Sequence, residues 1–137
     1  MRQVYQQTDI GIFPNRCEGG NNMVMCEYMA CGRTVIASDT TGHADVITDL
    51  NAFPLTSYTP RVISDAQGQP AAVWHEPSVE ELVELLEAAY RDRSTRAAKG
   101  AVAAEDMRRL AWDRAAGQFH IIATNLGNMT TFSNSRQ

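Results

Sequence analysis

An apolar stretch at residues 23–32, preceded by a carboxylate and two glycines in residues 18–20, most constrains what this chain can fold into. Asn21 and Asn22 suit a helix N-cap, and Gly32 suits a helix end, so the stretch predicts a loop that leads into a short helix. A helix that is apolar nearly all round is typically buried. Its single charge, Glu27, would then need a partner.

Two interpretations of this loop and helix remain open from spacing alone. In the first, glycines let the backbone approach a ligand, and the helix N-terminus offers N–H groups to a phosphate. Glu27 would then accept hydrogen bonds from ribose hydroxyls, and Glu18 would accept them from a sugar. In the second, the helix is simply buried and Glu27 is a salt-bridged or snorkelling side chain.

The flanking sequence favours an α/β fold with a doubly wound parallel sheet. Residues 9–14 and 34–38 predict buried strands on either side of the helix, and residues 51–55 predict a third. Ligands of open α/β sheets bind beyond the carboxyl ends of strands, so the order strand, loop, helix predicts a ligand site at residues 18–22. Residues 43–47 predict a short helical segment, and His43 is expected to be a surface or capping residue.

The remainder of the chain predicts a β-hairpin at residues 61–74 and three helices, which begin near residues 79, 95 and 112. Ser78 and Glu81 form a capping-box pattern. The first of these helices carries an apolar stripe that is expected to pack inward: Val79, Leu82, Val83, Leu86, Ala89 and Tyr90. The last carries a stripe that we expect to be only partly covered: Trp112, Ala115, Ala116, Phe119, Ile122, Ala123 and Leu126. Residues 127–137 are rich in Asn, Ser and Thr, which predicts a disordered tail.

Composition narrows the classes of partner and compartment. The 137 residues carry a net charge of −4, which argues against nucleic acid as the main partner. No apolar run approaches the ~20 residues that span a bilayer, so we expect no transmembrane segment. Three cysteines, an odd number, fit a reducing cytoplasm, and peripheral contact with a membrane stays open. They match no zinc spacing, so no metal site is expected.

Two segments together resemble a known family. Residues 9–20, DIGIFPNRCEGG, and residues 27–42, EYMACGRTVIASDTTG, closely resemble the C-terminal half of retaining glycosyltransferases of the GT-B fold. The resemblance implies that Glu18 contacts the donor sugar and is the catalytic candidate, and that Glu27 holds the ribose. It further implies that sugar and diphosphate lie on the backbone after Glu18, formed by Gly19, Gly20, Asn21, Asn22, Met23 and Val24.

One departure from the family pattern affects this loop. Eight residues separate Glu18 from Glu27, whereas the family has seven, and the extra residue falls among residues 20–22. The departure leaves the ribose role of Glu27 intact but weakens the inference for the sugar contacts of the loop.

The resemblance implies an enzyme that transfers a sugar from an NDP-sugar donor to an acceptor with retention, without a metal or other cofactor. The Lys/Arg pair of the family lies upstream of its two glutamates, and no residue before Glu18 has that context. We therefore expect residues 1–126 to be a partial GT-B C-terminal, nucleotide-sugar-binding domain. It would be inactive alone and would need a GT-B N-terminal domain as its partner.

Three other functions stay open. The chain could be a non-catalytic nucleotide-sugar-binding or scaffold domain, a GT-B-fold epimerase acting on a sugar nucleotide, or a helical interaction module. Binding of a nucleotide sugar separates the first two from the third, and product analysis separates transfer from epimerisation.

Overall fold

A computed structural model gives the backbone of residues 2–133 and the side chains of residues 2–126. The chain divides into two compact units, Met1–Met107 and Arg108–Gln137. The first unit contains a three-stranded parallel sheet in the order β1 (Ile10–Phe13), β2 (Thr34–Ser38), β3 (Phe53–Leu55). The predicted α/β class and the three predicted strands are confirmed.

Successive side chains of β2 point to opposite faces of the sheet. Both faces are apolar, so each is covered by helices. Val35 and Ala37 pack in one cluster with α2 (Met23–Ala30) and α4 (Arg93–Arg109). Ile36 packs in a second cluster with α3 (Val79–Arg91). All five residues of β2 are buried, which explains its continuous apolar run. The short helix α1 (Arg2–Gln6) adds Tyr5 to the first cluster.

The predicted hairpin is present and longer than residues 61–74. Strands β4 (Tyr58–Ser64) and β5 (Pro70–Pro77) pair antiparallel, with Gly68 at positive φ in the turn. Most side chains of the hairpin are exposed. The hairpin is a sheet of its own and adds no strand to the parallel sheet.

Only half of the predicted capping box forms at the start of α3. Ser78 Oγ accepts a hydrogen bond from the Glu81 N–H at 3.1 Å, as predicted. The Glu81 carboxylate instead accepts the N–H groups of Thr56 and Ser57, at 3.0 and 2.9 Å. Burial raises the pKa of Glu81, but the hydrogen bonds from Ser57 and Thr56 outweigh burial and lower it overall. The carboxylate therefore fixes the entry to the hairpin.

The predicted inward stripe of α3 is partly wrong. Val79, Val83 and Tyr90 are exposed, whereas Leu85, which was not in the stripe, packs with Leu82, Leu86 and Ala89. The packed positions lie along a narrower face than the amphipathic pattern indicates.

Gly100 in α4 is explained by a close backbone approach. A Cβ atom at this position would lie 2.4 Å from the carbonyl oxygen of Gly32 and 3.3 Å from the backbone nitrogen of Thr34. Glycine has a weak helix propensity, but its lack of a side chain lets α4 pack directly on the turn between α2 and β2.

The second unit consists mainly of α5 (Trp112–Ser133). The helix continues past residue 127, where the disordered tail was expected to begin, and residues 134–137 lie outside the described residues. Four apolar side chains of its predicted stripe are exposed, which agrees with the expectation of incomplete cover: Trp112, Phe119, Ile122 and Leu126. Within residues 2–133, no helix is long and apolar enough to cross a membrane.

We expect Gly100→Ala to lower the free energy of unfolding by about 1–3 kcal/mol, because the added methyl overlaps the Gly32 carbonyl. Ala101→Gly, at an exposed position of the same helix, is the matched control. It measures the difference in helix propensity between alanine and glycine, which is about 1 kcal/mol. Chemical denaturation followed by circular dichroism gives both values. If Gly100→Ala stabilised the chain by as much as Ala101→Gly destabilised it, the close approach would be disproved.

Candidate functional site

Two loops meet at the carboxyl edge of the parallel sheet. The loop after β1 contains Glu18, whose N–H donates to Thr41 Oγ1 at 2.9 Å in the loop after β2. The Gly42 N–H donates back to the carbonyl oxygen of Glu18 at 3.2 Å. A Cβ atom on Gly42 would lie 1.8 Å from the carbonyl oxygen of Gly20, so only glycine allows this contact. The loop after β2 thus fixes the position of the Glu18 loop backbone.

The Glu18 carboxylate is held through one oxygen. Oε2 accepts hydrogen bonds from Asn15 Nδ2 at 2.9 Å and from Asn22 Nδ2 at 3.3 Å. The side chain keeps 25% of its surface exposed. Two amide donors therefore orient the carboxylate, and its second oxygen has no hydrogen bond from the described side chains.

Asn22 connects the helix cap to the carboxylate. It adopts the left-handed conformation, with φ 52°, and its Oδ1 accepts the Met25 N–H at 3.1 Å as the N-cap of α2. Because the cap uses Oδ1, the amide group Nδ2 must face Glu18 and His43. Its distance to His43 Nε2 is 3.1 Å, so that ring nitrogen is the acceptor and the proton of the neutral ring lies on Nδ1.

His43 is fully buried beneath the loop, so the expectation of a surface or capping histidine is wrong. It ends a short 3-10 turn, Thr41–His43, and the following residues form turns rather than the predicted helix. Burial lowers the pKa of His43, while the Glu18 carboxylate at 4.0 Å and the Ser38 backbone raise it by less. His43 Nδ1 and Ser38 Oγ are both buried, and among the described residues neither has a partner at ordinary hydrogen-bond geometry, so the contact of the ring with the Ser38 backbone is weak.

Helix α2 is exposed on one side, which corrects the prediction of a helix buried all round. Met25, Tyr28 and Met29 face the core, whereas Met23 is 73% exposed and Glu27 also lies on the open side. The side-chain cap of Asn22 accepts only the Met25 N–H. The N–H groups of Met23 and Val24 therefore have no partner within the helix and lie at its open N-terminus. The sequence misleads here because exposed Met and Val look like core residues.

Glu27 therefore needs no buried counter-charge. Its Oε2 accepts a hydrogen bond from the Tyr5 hydroxyl at 2.9 Å, and this bond is the largest cause of the raised pKa of Tyr5. The Tyr5 ring is itself packed edge-on against Tyr28, with centroids 5.5 Å apart. A cavity of about 540 Å³ lies beside this pair and is lined by Arg2, Tyr5, Glu27, Ala30 and Cys31.

The hairpin also contacts the Glu18 loop, a role that local sequence did not reveal. The His75 N–H donates to the carbonyl oxygen of Arg16 at 3.1 Å, and Arg16 Nε lies 2.7 Å from Glu76 Oε2. Arg16 forms this ion pair with 54% of its side-chain surface exposed. No spacing rule links residue 16 to residue 76, so tertiary structure alone brings them together.

The cysteines and acidic residues form no metal site in the part of the chain that the structure describes. All three cysteines are free, and Cys17 is exposed. Cys26 Sγ lies 3.1 Å from the carbonyl oxygen of Asn21, and burial raises the pKa of its thiol. A raised thiol pKa favours the unreactive protonated form.

Comparison with known proteins agrees with this geometry. Residues 1–65, which include β1, α2, β2 and both loops, match the family described as Glycosyl transferases group 1. Residues 1–65 are thus similar to the group 1 glycosyltransferases. The resemblance seen in residues 9–42 is thereby confirmed. No curated protein matches the chain.

The fold comparison extends over more of the chain. The structure is similar to the crystal structure of Anabaena Alr3699/HepE in complex with UDP, with a TM-score of 0.62 and 17% sequence identity. The match covers 91% of this chain and 29% of that chain, so this chain spans less than a third of its length. The predicted α/β architecture is confirmed.

We expect Gly42→Ala to destabilise the chain by about 1–3 kcal/mol, because the methyl group would displace the backbone at Gly20. Gly19→Ala is the matched control, since a Cβ atom there meets nothing within 4 Å. Thermal unfolding and amide chemical shifts of the loop measure the effect. Equal stability and unchanged shifts in both variants would contradict the contact.

The buried neutral His43 predicts a pH-dependent stability. Because the folded state lowers its pKa, the unfolded state takes up the proton first as pH falls below about 6.5. Stability should therefore decline between pH 7.5 and pH 5, and His43→Gln should reduce that slope. Denaturation midpoints across this range measure it, with His75→Gln on the partly exposed hairpin strand as the control. A wild-type slope identical to that of His43→Gln would refute a depressed pKa.

Proposed function

We propose that this chain supplies the donor-binding half of a glycosyltransferase that moves a sugar from an NDP-sugar to an acceptor with retention. The observation that carries the proposal is the Glu18 loop, which joins β1 to the open N-terminus of α2 at the carboxyl edge of the sheet. Ligands of open α/β sheets bind at this edge. The UDP in the similar Anabaena structure supports a nucleoside diphosphate as the ligand class.

The diphosphate would bind to backbone N–H groups. Gly19, Gly20 and Asn21 are exposed, and the first-turn N–H groups of Met23 and Val24 have no partner within the helix. A helix N-terminus carries a partial positive charge, which attracts phosphate. The same groups would stabilise the charge on the departing diphosphate during transfer, without a metal ion.

Glu18 would contact the donor sugar. Asn15 and Asn22 orient the carboxylate through Oε2, which leaves Oε1 to accept a hydrogen bond from a sugar hydroxyl. Preorganised acceptors of this kind act without reorganisation during the reaction. Glu18 is therefore our candidate for the catalytic residue, and Asn22 and His43 are positioning residues.

Glu27 would bind the ribose hydroxyls. It is exposed one turn into α2, and the Tyr5 hydroxyl orients its Oε2. Hydrogen bonds to a charged acceptor are stronger than neutral ones. The neighbouring cavity of about 540 Å³ lies within the size range of small-molecule sites.

One observation favours a second function, a domain that binds a nucleotide sugar without catalysis. Arg16 is the cation in the Glu18 loop, and its ion pair with Glu76 at 2.7 Å neutralises it as a partner for a diphosphate. Product analysis with labelled NDP-sugar, carried out on the chain together with a GT-B N-terminal domain, separates these functions. A new glycoside indicates transfer, an epimerised sugar nucleotide indicates epimerisation, and unchanged donor that remains bound indicates a binding domain.

Calorimetric titration of the chain with UDP and GDP tests the division of roles between the two carboxylates. Glu27→Ala should weaken binding of a free nucleoside diphosphate about ten- to a hundredfold, because charged hydrogen bonds are lost. Glu18→Ala should leave that affinity unchanged and lower the affinity for the NDP-sugar. Tyr5→Phe, which keeps Glu27 but removes its orienting hydroxyl, should have an intermediate effect.

Glu84→Ala, an exposed position on α3, serves as the control for loss of a carboxylate. If wild type and Glu27→Ala bound nucleoside diphosphate equally, the ribose assignment would be rejected. A large loss of nucleoside diphosphate affinity in Glu18→Ala would reject the assignment of Glu18 to the sugar alone.

A further inference from the structure

Three arginines line a small cavity at the edge of the sheet opposite the Glu18 loop. The cavity measures about 160 Å³, and its lining includes Arg33, Arg93 and Arg96 together with Asp9 and Thr34. Asp9 immediately precedes β1, and Thr34 is the first residue of β2. The cavity therefore lies at the amino ends of the strands, whereas the Glu18 loop follows the carboxyl end of β1.

Backbone carbonyl groups hold two of these guanidinium groups in place. Arg33 donates to the carbonyl oxygen of Gln6 at 2.8 Å, and Arg96 donates to that of Ala89 at 3.0 Å. Both side chains are partly buried, with 31% and 17% of their surface exposed. Their positions are thus fixed before any ligand arrives, which lowers the entropic cost of binding one.

The negative charge around this cavity does not balance the positive charge. The same oxygen, Asp9 Oδ1, lies 3.9 Å from Arg33 and 3.6 Å from Arg96, beyond ordinary hydrogen-bond distance, and the Asp9 side chain is 75% exposed. Asp92 lies nearby in sequence, but it accepts the Thr95 N–H and the Ser94 hydroxyl at the start of α4.

Two of the arginines also lie where positive charge is unfavourable. Arg93 and Arg96 occupy the first turn of α4, where the helix dipole disfavours cations, and the carboxylate of Asp92 just before this turn is hydrogen-bonded to Thr95 and Ser94. The whole chain carries a net charge of −4, so the cluster does not reflect a generally basic surface. An anion in the cavity would relieve both the mutual repulsion and the conflict with the dipole.

We propose that Arg33, Arg93 and Arg96 form a binding site for a phosphate group, separate from the proposed donor site. The planar fork of guanidinium matches two phosphate oxygens at a time, and it is the preferred group for this recognition. A cavity of about 160 Å³ is smaller than the roughly 300–1,000 Å³ of sites that enclose a whole small molecule. A phosphate group enters it, and the remainder of a larger ligand stays outside.

Titration of the ¹⁵N-labelled chain with inorganic phosphate at constant ionic strength tests the site. The expected result is a saturable shift of the Gly32 and Thr34 amide signals, which line the cavity. Chloride at the same ionic strength should not produce it. The amides of Met23 and Val24 report separately on phosphate at the N-terminus of α2, so binding at the two places is distinguishable.

Two substitutions at exposed positions should shift the phosphate affinity in opposite directions. Arg93→Gln should weaken it about tenfold or more, because a charged hydrogen bond is lost. Asp9→Asn should strengthen it about two- to fivefold, because a competing carboxylate is removed. Arg91→Gln, which removes an exposed arginine that pairs with Glu87, is the charge-matched control and should change little.

Vesicles separate the two sources of a phosphate group. Arginine-dependent binding to phosphatidylcholine vesicles that contain phosphatidic acid, competed by inorganic phosphate, indicates a lipid headgroup. A response to inorganic phosphate without vesicle binding indicates a free phosphorylated ligand. The proposal is overturned if inorganic phosphate gives no saturable response at Gly32 and Thr34, whatever the vesicles do. It is equally overturned if Arg93→Gln and Asp9→Asn leave that response unchanged.

Discussion

The carboxamide of Asn22 is the interaction on which the proposed site depends. Its oxygen caps α2, and its nitrogen contacts both the Glu18 carboxylate and the buried His43 ring. A left-handed backbone costs a residue other than glycine about 1–2 kcal/mol, less for Asn, and an N-cap contributes about 1 kcal/mol. The cap therefore roughly offsets the backbone cost. The contacts to Glu18 and His43 then fix where the carboxylate stands.

Two glycines set the distances within the parallel-sheet unit. Gly42 lets the loop after β2 touch the Glu18 loop, and Gly100 lets α4 touch the turn at Gly32. Both contacts are between backbones, so their geometry does not depend on flexible side chains. Two neighbours support the Glu18 loop. The loop after β2 contacts it through Gly42, and the hairpin contacts it where Arg16 meets His75 and Glu76.

The two edges of the sheet differ in how they present groups to an anion. At the carboxyl edge, backbone N–H groups and the dipole of α2 are available, and Arg16, the cation in the Glu18 loop, is already paired with Glu76. At the amino edge, the available groups are the guanidinium groups of Arg33, Arg93 and Arg96.

The sequence by itself determined the elements that depend on local patterns. The strands at residues 9–14 and 34–38, the hairpin, the helices after residue 79 and the loop-to-helix motif at Glu18 all follow from periodicity, caps and turn residues, and the structure contains each of them. The family resemblance rested on these same contiguous residues. Local pattern was sufficient because each element is specified within about a dozen residues.

Tertiary structure alone decided which residues meet. It exposed Met23 and Glu27 on α2, buried His43, and diverted Glu81 from its own helix cap to Thr56 and Ser57. It also paired Tyr5 with Glu27 and gathered Arg33 with Arg93 and Arg96. Partners that are 22 to 63 residues apart, as these are, leave no periodic signal, because their contact depends on how the elements pack. A side chain's type limits the bonds that it can form, but only packing decides which of them it forms.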